Sequence, residues 1–191
     1  MSHFFAYISK MKWIKRWGLM KNTAEENIME HSWQVAVIAH GLAQINNQIL
    51  GKEVNSEHIA LLALYHETGE VITGDFATPV KYYNPEVKKA IHGLENIAKE
   101  KILYMLPEEL QAGYKPLIFP DENSEEYRIV KAADKICAYL KCVEELKWGN
   151  KEFAKAEKTI KNDLAKMDRA DVKYFMANFV DSFALTLDEL N

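Results

Sequence analysis

Apolar residues recur along the chain at spacings of three and four, with little of the strict alternation that marks a strand, and this rhythm predicts helices throughout. Phe4, Tyr7, Ile8, Met11 and Ile14 fall on one face of a helix over residues 4–14. A second helix starts after Asn27, whose side chain can cap the first turn while Glu30, three residues on, returns a bond to the cap, and it runs through Gln34 to Ile45. A third begins at Asn55 or Ser56, carries Ile59, Leu62, Ala63 and His66, and is interrupted in the region of Gly69 and Gly74. Residues 73–83, with Gly74, Asp75, Thr78 and Pro79, read as an ordered loop. Residues 85–105 form a long amphipathic helix, opened by Pro85 and stopped by Pro107. Residues 124–147 form another that ends at Gly149, followed by shorter helices over 151–167 and 171–179 and a last turn near Leu187. No repeat, low-complexity tract or linker divides the chain, so residues 1–191 are expected to form a single all-α domain.

Composition supports this and narrows the partners. Only 8 Gly and 5 Pro punctuate the 191 residues, and 48% hydrophobic with 27% charged residues is the balance of a soluble globular protein. No stretch approaches the roughly 18 uninterrupted apolar residues of a membrane span. The opening MSHFFAYISKMKWIKRW lacks an apolar core followed by small residues, so no export signal is expected. Cys137 and Cys142 lie five residues apart in one predicted helix, about 7 to 8 Å between Cα atoms, which disfavours a disulfide and fits a reducing cytoplasm. The net charge of -4 argues against a polymeric nucleic-acid partner, though not against a mononucleotide.

Three places put metal-ligand chemistry inside helical pattern: His31 in MEHSWQVA, the adjacent His66 and Glu67 in LYHETGE, and Asp134 in KAADKICAYL. Two imidazoles with two carboxylates suit a divalent ion of the manganese, iron, cobalt or zinc type, and the lack of Cys argues against a purely structural zinc site. Taken singly, His31 reads as a satisfied core or surface histidine sooner than as a ligand, and Asp134, between Ala133 and Ile136, reads either as a metal ligand or as an ion pair with a nearby lysine. Arg16 and Trp17 follow the first helix in a basic cluster with Lys12, Lys15 and Lys21. A guanidinium can grip phosphate through two parallel hydrogen bonds, and an indole offers a flat wall; the alternative is a solvated basic turn with one core tryptophan. Glu70, four residues after His66, is either a proton-transfer group or an exposed helix-end acid. His40 falls on nearly the opposite face from His31, and His3, His58 and His92 have no convergent partners. The cysteines read as small buried hydrophobes, and EVKKAIHGLENIAKEK as a solvated helix face.

The order His, His-acid doublet, distant Asp resembles the HD superfamily of metal-dependent phosphohydrolases. More closely, HFFAYISKMKWIKRWGLM, ENIMEHSWQVAVIAHGLA, IALLALYHETGEVITGDFATPVKYY, VKAADKICAYLKCVEEL and the closing FALTLDEL are similar to the bacterial 5′-deoxynucleotidase family over nearly the whole chain. The resemblance implies a helical homodimer that hydrolyses deoxyribonucleoside 5′-monophosphates to deoxyribonucleosides and phosphate, with a divalent metal such as cobalt or manganese. It implies metal ligation by His31, His66, Glu67 and Asp134, phosphate orientation by Arg16, acid/base work by Glu70, and substrate contact and catalytic assistance by Asp75. Trp17, Phe76, Ala77 and Thr78 would line the nucleotide site beside Glu67 and Asp134. Phe76 and Ala77 vary on the family's usual pattern, and one metal position departs from it, because the family carries Asp where this chain has Glu67. The longer side chain must fold back, or the metal must shift, and catalysis tolerates little misplacement. Two further readings therefore stand beside the enzyme: a nucleotide-binding HD protein with weak or lost catalysis, and an HD phosphohydrolase acting on a different nucleotide. A helical interaction module would explain neither the ligand set nor the resemblance.

Overall fold

A computed structural model describes residues 1–190, and every regular element among them is helical. The chain opens with α1 (Phe4–Ile8), which tightens into a 3-10 turn over Ser9–Trp13 instead of continuing to residue 14. Ile14 is extended, because the backbone of residues 14–16 is claimed by a distant segment: Ile28 N–H donates to the Ile14 carbonyl at 3.0 Å and Arg16 N–H to the Glu26 carbonyl at 2.9 Å. Phe4 and Met11 are buried as the pattern predicts, whereas Tyr7 is exposed.

Helix α2 (Ile28–Gln48) begins where expected. Asn27 Oδ1 accepts from the Met29 and Glu30 amides, both at 3.0 Å, and Glu30 Oε2 accepts from the Asn27 amide at 3.2 Å. Helix α3 (Ser56–Tyr65) is capped by Asn55 on the His58 amide. After a tight turn come α4 (Glu70–Thr73) and α5 (Thr78–Lys81), so the segment read as a loop carries a helical turn with Pro79 at its start. Gly74, at φ +74°, makes the reversal between them, a conformation that a side chain would strain. Gly69 brings α4 close to α6 (Pro85–Leu103); a Cβ there would sit 3.2 Å from the Glu95 carbonyl. Helix α7 (Glu108–Ile118) follows Pro107 directly and corrects the sequence reading, which placed no helix there. Pro116 is tolerated near its end, where Phe119 N–H closes the last turn on Lys115. Helix α8 (Glu125–Lys147) is capped by Ser124, and a 3-10 turn over Lys151–Phe153, α9 (Ala154–Lys166), α10 (Ala170–Asn178) and two further 3-10 turns, Val180–Ala184 and Leu187–Leu190, complete the order.

The main core lies where α2, α3 and α8 pack together, through Val35, Ala39, Leu42, Ile59, Ile129, Ala133, Ile136 and Leu140, closed by α9 and α10 through Leu164 and Val172. Each fully buried branched side chain contributes about 1.5 to 3 kcal/mol. A second cluster of Phe4, Ile102, Leu103, Leu106 and Ile118 ties α1 to α6 and α7. Cys137 and Cys142 are free and buried in α8, as expected. Among the described residues, no helix is long and apolar enough to cross a membrane.

Candidate metal and phosphate site

The three central helices each deliver part of one polar cluster. His31 stands in the first turn of α2 and is fully buried, His66 and Glu67 follow the end of α3, and Asp134 lies midway along α8. One ligand atom from each of the four residues lies within 4.8 Å of all the others. His31 Nε2 is 3.1 Å from Asp134 Oδ1, and the two imidazole centroids are 5.5 Å apart.

The hydrogen bonding of His66 says most about the purpose of the cluster. Its Nδ1 lies 2.6 Å from the Ala63 carbonyl, which only accepts, so Nδ1 carries the proton and Nε2 presents a lone pair. That Nε2 is buried and has no hydrogen-bond partner, although Glu67 Oε1 is 3.2 Å away. An orphaned imidazole lone pair beside two carboxylates is an arrangement that a cation satisfies, so the residues present fit a divalent ion.

The electrostatics agree. Burial pushes the Glu67 carboxyl up, but positive charge at His66 Nε2, from a second proton or equally from a bound cation, and at Lys131 outweighs it and holds the group below the usual carboxylate range. Burial likewise opposes ionisation of Asp134 and is overcome by Lys131 and His31. Lys131 Nζ lies 2.8 Å from Asp134 Oδ2, so this aspartate has a lysine partner as well, on the oxygen that does not face His31. Asp134 itself raises the Lys131 ammonium, ahead of the opposing effect of burial.

Arg16 adjoins the cluster. Its Nη1 is 2.8 Å from His31 Nδ1 and donates to Glu26 Oε2 at 2.7 Å. Trp17 adopts φ +59°, uncommon for a bulky residue and worth about 1 to 3 kcal/mol of strain, and its indole N–H donates to the same Glu26 oxygen at 3.2 Å. The indole also packs on buried Phe153, with centroids 5.3 Å apart. Asp75 reaches the Trp17 backbone; burial raises its carboxyl while Arg16 pulls the other way. Glu70 is buried, and its carboxyl is pushed up to about 10 by burial, with Glu67 and Asp75 adding to the shift and Lys81, 3.8 Å away, opposing it. Burial and its acidic neighbours thus favour the protonated form of this carboxyl.

His31, His66, Glu67, Asp134, Arg16 and Glu70 are thus joined in one group, with Trp17 and Asp75 beside Arg16. Phe76, Ala77 and Thr78 lead from the Gly74 turn into α5, where Thr78 is exposed and the bonds of Ala77 and Thr78 are local. His40 meets Gln44, and His58 pairs with Glu126, both outside the group. Glu26 was not singled out from sequence; its only signal was a pair of acids, Glu25 and Glu26, matching Lys15 and Arg16 ten residues earlier.

The family model of YfbR-like 5′-deoxynucleotidases matches residues 3–183. The chain belongs to this family. A 5′-deoxynucleotidase of Vibrio vulnificus is 50% identical over 191 residues, covering 100% of this chain and 98% of the relative. A 5′-deoxynucleotidase YfbR of Salmonella arizonae is 51% identical over 193 residues, covering 100% and 96%. Among solved structures, an HD-domain phosphohydrolase from Listeria innocua aligns with a TM-score of 0.83 at 24% identity, over 95% of this chain and 88% of that one. A cyanophage HD phosphohydrolase bound to dA and one catalytic zinc ion aligns at 0.61 and 20% identity, over 94% and 95%. These two likenesses show that this member of the YfbR-like family has the HD fold.

Proposed function

We propose that the chain is a divalent-metal-dependent 5′-deoxynucleotidase, releasing phosphate from deoxyribonucleoside 5′-monophosphates. The observation that carries this is the orphaned His66 Nε2 within a four-ligand cluster that Arg16 adjoins through His31. His31, His66, Glu67 and Asp134 would hold the ion, which when bound acidifies water and polarises a phosphoryl oxygen. Arg16 is fixed beside that position and has further donors on its guanidinium with which to orient a phosphate. Glu70, a buried carboxyl whose proton affinity burial raises, is suited to give a proton to the departing sugar oxygen, which is a poor leaving group as an alkoxide. Asp75 stands where it can contact the nucleotide next to Trp17, and the indole supplies a wall that leaves a 2′-hydroxyl without a partner. Phe76, Ala77 and Thr78 would form the rim.

The extra methylene of Glu67 does not remove its oxygen from the cluster, which supports turnover over a purely nucleotide-binding role. Cobalt or manganese suits the mixed nitrogen and oxygen set. The reading includes residues 1–191 as one domain, a cytoplasmic location, supported by two free buried cysteines, and a homodimer, which rests on the family resemblance.

The test is phosphate release from matched deoxyribo- and ribonucleoside 5′-monophosphates, using metal-stripped protein with cobalt, manganese, magnesium or zinc restored. Metal-dependent release favouring the deoxy series is expected. Ion binding without release from any substrate would replace the enzyme with a binding protein, and release confined to other nucleotides would reassign the substrate.

A further inference from the structure

We propose that Glu26 is a positioning residue that holds Arg16 and Trp17 against the His31 side of the metal centre, coupling the phosphate grip to ion binding; this rests on the deoxynucleotidase reading. The carboxylate is nearly buried, with 12% of its side chain exposed, and one oxygen serves both residues: Oε2 accepts from Arg16 Nη1 at 2.7 Å and from the Trp17 indole at 3.2 Å. The backbone adds a third tie, Arg16 N–H to the Glu26 carbonyl at 2.9 Å. Glu26 immediately precedes the Asn27 cap of α2, so these bonds fasten residues 16 and 17 to the helix end that carries His31. Trp17 sits at a positive φ that a bulky residue seldom adopts, and such a backbone persists only where its surroundings fix it; the indole bond to Glu26 is one such constraint.

The other oxygen faces His31. Oε1 lies 3.9 Å from His31 Nδ1, where Arg16 now donates. An imidazole that ligates through Nε2 carries its proton on Nδ1, and a guanidinium cannot accept it. Glu26 is the carboxylate placed to do so. The same side chain therefore supports His31 as a ligand and keeps Arg16 close when their direct contact is given up. A glutamine retains one acceptor oxygen and cannot fill both roles.

The experiment compares wild type, Arg16→Ala, Glu26→Gln and the double variant by KM, kcat and calorimetric manganese affinity. Glu26→Gln is expected to weaken manganese binding about tenfold and to raise KM about tenfold, with a smaller change in kcat. The double variant is expected to match the KM of Arg16→Ala within about twofold, because Glu26 acts on phosphate through that arginine. Wild-type KM and manganese affinity in Glu26→Gln, or fully additive losses in the double variant, would overturn the proposal. Should Glu26→Gln fail to fold, Glu26→Asp retains the charge but withdraws the carboxylate, and a severalfold loss of manganese affinity is expected; wild-type affinity there would overturn it equally. Manganese affinity is read without turnover, so failure of the coupling is distinguishable from an enzyme that releases no phosphate.

Discussion

Helix α8 carries two carboxylates eleven residues apart, Asp134 half-buried and Glu145 buried, and they meet opposite fates. Glu145 is 1% exposed and saturated: it accepts from the Thr23 amide at 2.8 Å, the Ala24 amide at 3.1 Å, Asn150 Nδ2 at 2.6 Å and Lys141 Nζ. Burial opposes its ionisation, but Lys141, Asn150, Thr23 and Ala24 together bring the carboxyl down to about 2. Lys141 also donates to the Ala24 carbonyl, so the pair clamps the segment that follows Trp17 onto α8. Asp134 has its own lysine three residues earlier and one imidazole contact, yet its neighbours include a second carboxylate and a histidine nitrogen with no partner. A lysine on the same helix is common to both. A clamp has as many donors as its oxygens need, whereas a site keeps acceptor capacity that only a ligand fills.

The largest effect that separates them is catalytic. Asp134→Ala should lower phosphate release about a thousandfold or more while circular dichroism remains helical, since it removes a ligand and no core packing. Undiminished turnover would break the distinction at its functional end. Glu145→Gln should instead lower unfolding stability by about 3 kcal/mol in urea titrations, because buried Lys141 loses its counter-charge, while the folded protein keeps activity within a few fold. A hundredfold loss of activity without loss of stability would make Glu145 part of the site.

Acid titration gives a gentler separation. The folded carboxyl of Glu145 titrates at about 2 against an ordinary 4.5, so its contribution to stability is full above about pH 4.5 and is lost as pH falls towards 2. The stability of Glu145→Gln should be correspondingly flatter across that window, measured by urea unfolding at stepped pH; parallel profiles would remove Glu145 from the acid response. The smallest effect is expected at Glu67→Asp. The Glu67 oxygen already lies with the other three ligand atoms, so shortening it should change kcat by less than about tenfold. A hundredfold gain would show that Glu67 distorts the centre.

What could be read from sequence follows the range of the interactions. Asn27 and Glu30 form their capping box within four residues, and the periodic apolar positions of α2 and α8 face the core as predicted. The early end of α1 could not be read, because residues 14–16 leave the helix to bond with residues 26–28. Helix α7 was obscured by Pro116 and by a face that buries only Ile118. The four ligand residues stood out through their types, their helical setting and a family resemblance, and the structure brings those four together. Glu26 and Glu145 left no comparable trace: their partners lie about 10 and up to 122 residues away, and a surface acid and a clamp look alike in one dimension.

The central claim is that the unsatisfied cluster on α2, α3 and α8 is a cation site distinct from the saturated clamp on the same helix. Calorimetric titration of metal-stripped protein with manganese tests it most directly. One ion per chain is predicted for wild type and for Glu145→Gln, and none for Asp134→Ala. No binding by wild type, or equal binding by Asp134→Ala, would contradict the account.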